Sequence, residues 1–207
     1  VAIWYGQAMA KALNKEWDWD SDDIRVTLHT VTYVPARTTN AYVSDLTNEL
    51  ATAAGYTVGG VTLTGKSMPF TAANSWATTR ANSTAYAVGD VVRPATGNGF
   101  LYRAVVAGTS AASIPTYPTV VGNTVVDGGV TWVNEGTGIT QVIATSPSWA
   151  TATFTGVRIA VISDRTPGTP ATQPLIGFVD FGVDKAGGGG PFSVDFHSSG
   201  ALHLFSP

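Results

Sequence analysis

Residues 151–181 read TATFTGVRIAVISDRTPGTPATQPLIGFVDF, and the order of chemistry in that stretch decides the fold class. Its first part, 151–163, is apolar and β-branched, which suits a pleated, buried surface and predicts a strand. Thr166-Pro167-Gly168-Thr169-Pro170 then punctuates the chain, because proline pre-sets φ and glycine accepts conformations closed to other residues. The apolar character resumes over 175–181 as a second strand. Working outward, it returns at 192–196 and 201–205, separated by the glycine run 187–190 before Pro191 and by Ser198-Ser199-Gly200. Upstream, Ile24, Val26 and Leu28 alternate with Arg25, Thr27 and His29, the period of a half-buried strand. Residues 56–70, YTVGGVTLTGKSMPF, predict strand, turn and strand around Gly59-Gly60. Ile3, Met9, Ala10 and Leu13 place apolar groups on one face of a short helix ending near Asn14. Residues 40–50 predict a short helix or turn with Tyr42, Val43 and Leu46 facing inward. The expectation is a mainly β fold, an antiparallel sandwich or barrel with a short N-terminal helix.

Between these halves, about residues 76–138, lies a stretch with its own strands, turns and aromatics. Phe70 before it is placed to pair with 139–143 after it. The chain therefore divides into a discontinuous β anchoring domain, 1–73 plus 139–207, and an inserted small β module, 74–138. Insertions are tolerated where a loop tip keeps its ends together, so the module is expected to project from the surface.

At 207 residues the chain can bury a core without staples. Charged residues make up 12% of it, against about 25% in an average soluble domain. The net charge of -3 supplies no positive field for phosphates, so nucleic acid is excluded as the expected partner. Cysteine is absent, which removes disulfides, thiolate zinc sites and cysteine nucleophiles. No apolar run approaches the roughly 18 to 20 residues that cross a bilayer, and the amino end lacks the pattern of a secretory signal. The expectation is synthesis in the cytoplasm, with no membrane insertion.

Three motifs invite chemistry. Gly60-Val61-Thr62-Leu63-Thr64-Gly65-Lys66-Ser67 matches the phosphate-loop pattern, which would set amides and Lys66 around a nucleotide's phosphates. Its interior alternates like a strand, however, and Pro69 stands where the required helix would extend. Asp18, Asp20 and Asp22 open like a calcium loop, but Asp23 and His29 occupy the positions that need Gly and Glu. A turn with carboxylates capping amides fits better. His29, His197 and His203 fall in or beside predicted strands without a nucleophile or carboxylate pair, so no catalytic residue, metal site or cofactor is expected.

The middle segment carries Trp76, Tyr86-Ala87-Val88-Gly89-Asp90-Val91-Val92, Gly99-Phe100-Leu101-Tyr102-Arg103-Ala104, Pro115-Thr116-Tyr117-Pro118 and Val130-Thr131-Trp132. It resembles the small aromatic-rich modules related to chitin-binding and other carbohydrate-binding domains. Aromatic faces stack on the apolar faces of sugar rings. On that reading Trp76, Tyr86, Tyr102, Tyr117 and Trp132 are the candidate carbohydrate-binding residues, with Tyr117, flanked by prolines, the most exposed. A module of some 60 residues also needs large aromatics to fill its core, and about half are expected there.

The outer segments carry a second resemblance. Trp4-Tyr5-Gly6, Trp17-Asp18-Trp19-Asp20, Gly55-Tyr56-Thr57, Arg158-Ile159-Ala160-Val161-Ile162 and Pro174-Leu175-Ile176-Gly177-Phe178 are similar to a widespread family of tailed-phage virion structural proteins. The resemblance implies a non-enzymatic capsid decoration or head-fibre component on the virion exterior. Its partners would be the major capsid protein or other virion proteins, further copies of itself in a homo-oligomer, and host-surface glycans. Trp4 and the 187–190 run are candidate contact regions. The alternative is a tail or baseplate accessory protein that binds host-surface carbohydrate.

Overall fold

The computed structural model describes residues 2–53, 55–197 and 200–206, the last two without their side chains at 205 and 206. In chain order the elements are β1 (Ile3–Trp4), α1 (Ala8–Leu13), β2 (Ile24–Thr30), β3 (Val61–Thr62), β4 (Phe70–Ala72), β5 (Ala85–Tyr86), β6 (Val91–Val92), β7 (Leu101–Val106) and β8 (Gly108–Thr109). There follow β9 (Thr124–Asp127), β10 (Val130–Gly136), β11 (Gly138–Val142), β12 (Ser148–Trp149), β13 (Thr153–Asp164), β14 (Leu175–Gly188), β15 (Phe192–Ser193) and β16 (Leu202–Ser206). The fold is mainly β, with antiparallel sheets, one short α-helix and no closed barrel among the described residues.

The chain forms two compact units, Val1–Ser67 with Ile143–Phe196, and Met68–Val142 with His197–Pro207. Every sheet is contained within one unit.

In the first unit five strands run in the order β1-β14-β13-β2-β3. The decisive stretch supplies its two long central strands, Val161 lying opposite Phe178 on one side and Thr27 on the other. Ile159 and Val161 join Tyr5, Ala8, Tyr33, Leu175 and Phe178 in one core. Ala160 and Ile162, which alternate with them, are also fully buried. Burial on both faces explains why the sequence reads as a continuous apolar run here. It also corrects the half-buried reading of β2, in which Thr27 and His29 are as buried as Ile24, Val26 and Leu28. His29 is satisfied by Thr27 Oγ1 and the Thr47 carbonyl, each at 2.9 Å.

Other expectations shift. Ile3 lies in β1, and the helix buries Ala8 and Lys11 while Leu13 is 82% exposed. Lys11 is buried because Glu16 receives its ammonium at 2.9 Å and the Tyr42 ring lies beneath it. Gly187 and Gly188 end β14 where the sequence predicts a loop. Val43 and Leu46 pack against the core as expected, around a 3-10 turn at Val43–Asp45.

The second unit holds the sheets β6-β7-β10-β9, β16-β11-β4 and β5-β8. Phe70 does pair with this part of the chain, opposite Thr140. That pairing belongs to the second unit, because Ile139 on β11 packs with Ala73, Trp76, Val91 and Leu101. The carboxyl-terminal strand lies there too, with Leu202 opposite Val142. The units thus divide near 67/68 and 142/143, and residues 197–207 join the middle segment, whereas the sequence places 139–207 with the outer body.

Candidate binding cleft

The second unit contains a cleft of about 550 Å³. Trp76 enters it from the end of a 3-10 turn, Ala73–Ser75, whose Ala73 is buried. Its indole N–H donates to the Val91 carbonyl at 2.8 Å, and its own carbonyl accepts from Arg93 Nε at 2.7 Å. The indole and the backbone of Trp76 are therefore each held by a hydrogen bond. Tyr86 stands in the same cleft from β5, its hydroxyl accepting from the Ala81 amide at 2.8 Å. Its ring meets that of Trp132 edge-on at 4.9 Å.

Polar groups complete the lining: Thr71 from β4, Gln141 from β11, Thr78, Asp90 and His197. The tight turn expected at 86–90 is present and feeds β6, and Tyr102 pairs back opposite Val92. Gly89 takes φ 99°, a left-handed conformation that favours glycine, and its amide donates to the Ala104 carbonyl at 2.9 Å. Asp90 closes the turn by accepting from the Ala87 amide at 2.7 Å through Oδ2. Its other oxygen, Oδ1, lies 2.9 Å from His197 Nε2. One carboxylate oxygen thus closes the turn and the other meets the carboxyl-terminal segment.

The structure redistributes the five candidate aromatics. Trp76 and Tyr86 line the cleft, Trp76 with only 8% of its surface exposed and the rest packed on Ala73, Val91, Leu101 and Ile139, whereas Tyr102 and Trp132 are fully buried and correct the expectation that they meet sugar. Tyr102 donates to the Pro118 carbonyl at 2.9 Å and packs its ring 4.3 Å from that of Tyr117. Tyr117 is half-buried rather than exposed, and its hydroxyl is enclosed without a hydrogen-bond partner. Burial pushes that phenol well up. These three rings do the work of a small core with Val92, Ala104, Val130 and Val125.

The reason lies in a group the sequence did not single out. Arg80 is 4% exposed and grips Asp127 twice, Nη2 to Oδ1 at 2.6 Å and Nε to Oδ2 at 2.9 Å. Asp127 also accepts from the Trp132 indole at 2.9 Å and the Ala111 amide at 3.0 Å. Burial raises its carboxyl, but these donors outweigh it and hold the group below the ordinary carboxylate range. Trp132 is consumed as one of those donors. The remaining carboxylate of the middle segment, Glu135, pairs with Arg103.

The motif readings also resolve. No helix follows Gly65-Lys66-Ser67; Val61–Thr62 is a strand, Ser67 bridges to Ile143, and Lys66 donates to the Asp22 carbonyl. Asp18 and Asp22 accept from backbone amides of their own turn, at 3.0 Å from Asp20 and 2.6 Å from Asp18. Among the described residues, no group of three His, Cys, Asp or Glu is placed to hold a metal ion. Comparison with protein-family models, with curated proteins and with solved structures returned no match.

Proposed function

We propose that the chain is a non-enzymatic structural component of a tailed-phage virion, a capsid decoration or head-fibre protein whose second unit contacts glycans at the particle exterior. The observation that carries the glycan reading is the cleft with Trp76 and Tyr86 in its wall and Thr71, Thr78 and Gln141 beside them. Aromatic surface with a few convergent polar groups is the chemistry that holds a sugar ring. A volume of about 550 Å³ falls inside the range of roughly 300–1,000 Å³ for small-molecule sites. Asp90, Asp127 and Glu135 each have a partner of their own, which favours holding a sugar over cleaving it. Hydrolysis would call for two carboxyl groups about 5 to 9.5 Å apart across the bond. The virion half of the reading rests on the resemblance carried by the outer segments, and repetition of weak sites over a particle would supply avidity.

Two experiments test the halves separately. Antibody against the chain should label the heads of purified particles; label confined to the tail would favour the accessory reading, and unlabelled particles would contradict both. On a glycan array the full chain should give signal that Ala77→Trp abolishes, because Ala77 is exposed and lines the cleft. A uniformly silent array would remove the glycan reading.

A further inference from the structure

The sheet β6-β7-β10-β9 has two edges that the chain treats differently. Along β6 the segment 76–80 covers the outer side: Arg93 donates to the Thr78 carbonyl at 3.0 Å, Arg80 to the Arg93 carbonyl at 2.9 Å, and Trp76 to Val91. Along β9 nothing comparable occurs. Asn134 donates to the Asn123 carbonyl at 2.9 Å, so in the alternating antiparallel pattern Val125 faces Trp132, and Asp127 faces Val130, as hydrogen-bonded pairs. The backbone groups of Thr124 and Val126 consequently point away from β10. Among the described residues, no hydrogen bond reaches them.

An open edge invites another strand, and folded proteins blunt such edges with charge and bulges. The free half of β14 in the first unit shows both devices. It carries Asp180, Asp184 and Lys185, and its ladder with β13 is interrupted by irregularities, with Gly156 and Gly182 at positive φ. On β9 neither device is present. Its solvent-facing side chains are Thr124 and Val126, the latter 69% exposed, and its single charge, Asp127, is buried on Arg80. The turn leading in exposes Val120 and Val121 as well.

We infer that β9 is a self-association edge, whose occupant is the β9 of a second copy of this chain in antiparallel orientation. A strand laid antiparallel on itself is self-complementary under a two-fold axis, and here it sets no like charges opposite one another. Among the registers that pair outward-pointing residues, the one with its axis at Val125 engages both Thr124 and Val126 of each copy. With the axis at Val125, Thr124 of each copy lies opposite Val126 of the other in hydrogen-bonded pairs, and two four-stranded sheets become one continuous sheet. The inference stands on this edge and is independent of the glycan reading.

Sedimentation velocity on the full chain tests it. Wild type is expected at twice the chain mass of 21.4 kDa. The double variant Thr124→Lys/Val126→Lys sets like charges face to face and should halve the observed mass. Thr124→Lys/Val126→Glu sets opposite charges face to face in this register and should keep the dimer. Both variants alter only solvent-facing side chains, and circular dichroism matching wild type verifies the fold. A monomeric wild type, a doubly lysine-substituted chain of unchanged mass, or a monomeric Lys/Glu variant would each overturn the proposal.

Discussion

The two units stabilise themselves by different chemistry. In the first, the centre of the sheet is mostly hydrocarbon on both faces, with Ile24, Leu28, Ile162 and Leu175 fully buried. In the second, the strands are shorter, and an ion pair whose side chains are 1% and 0% exposed anchors the aromatics around it. The contrast teaches that an aromatic-rich segment is not by itself a sugar platform. A small body with few aliphatic side chains draws Tyr102, Trp132 and Tyr117 inward, and Trp76 and Tyr86, themselves packed against its two cores, show only part of their rings to the cleft.

The sharpest way to break this comparison is to remove one partner of the ion pair. Asp127→Ala leaves Arg80 buried and uncompensated, which costs about 3–5 kcal/mol. Denaturant unfolding followed by tryptophan fluorescence should show the second unit melting first, with the first unit's transition in place. A single unchanged transition would mean that the pair is not what holds the second unit. The counterpart is Leu28→Ala, a cavity in a hydrocarbon core, expected to cost about 2–5 kcal/mol. Its loss should fall on the first unit's transition.

Acid tests the buried groups of both units. His29 is held below its ordinary value of 6.5, chiefly by burial. The unfolded chain takes up that proton first, so the first unit loses stability as pH falls below 6.5 toward the folded value. Asp164 acts in the opposite sense, because burial raises its carboxyl above 3.8. Its contribution is present below 3.8 and lost as pH rises through the folded value. Asp127 is depressed, and its contribution is lost only as pH falls below 3.8. Melting curves of wild type and His29→Gln should therefore diverge as pH falls below 6.5, the wild type's first-unit transition moving down the more; parallel curves would contradict the assignment.

A smaller effect sharpens the account of the second core. Tyr117→Phe removes an enclosed hydroxyl that has no partner, and relief of that desolvation should stabilise the unit by about 1 kcal/mol. A loss of similar size would show that the hydroxyl is satisfied after all.

Much of this was legible in the strands. Residues 151–163 and 175–181 appear as β13 and β14, because a buried strand carries its own periodic and β-branched signature. The 86–90 turn was legible for the same local reason. What could not be read was which aromatics face inward. Arg80 and Asp127 are 47 residues apart in sequence, and no local pattern announces that they pair and claim Trp132. Gln141 and His197 come to the cleft from a strand and a segment remote in sequence from Trp76 and Tyr86, so their types carried no signal either. The helix face failed because Leu13 looked like core to a periodicity argument, while an ion pair and a tyrosine ring buried Lys11 in its place.

The central claim, that Trp76 meets ligand and Trp132 does not, can be read directly from indole N–H resonances of the isotopically labelled chain. The titrant is the oligosaccharide that gives the strongest array signal. The account predicts that the Trp76 resonance moves on saturation and the Trp132 resonance stays. Movement of Trp132 with Trp76 unchanged, or no movement of either, would contradict it.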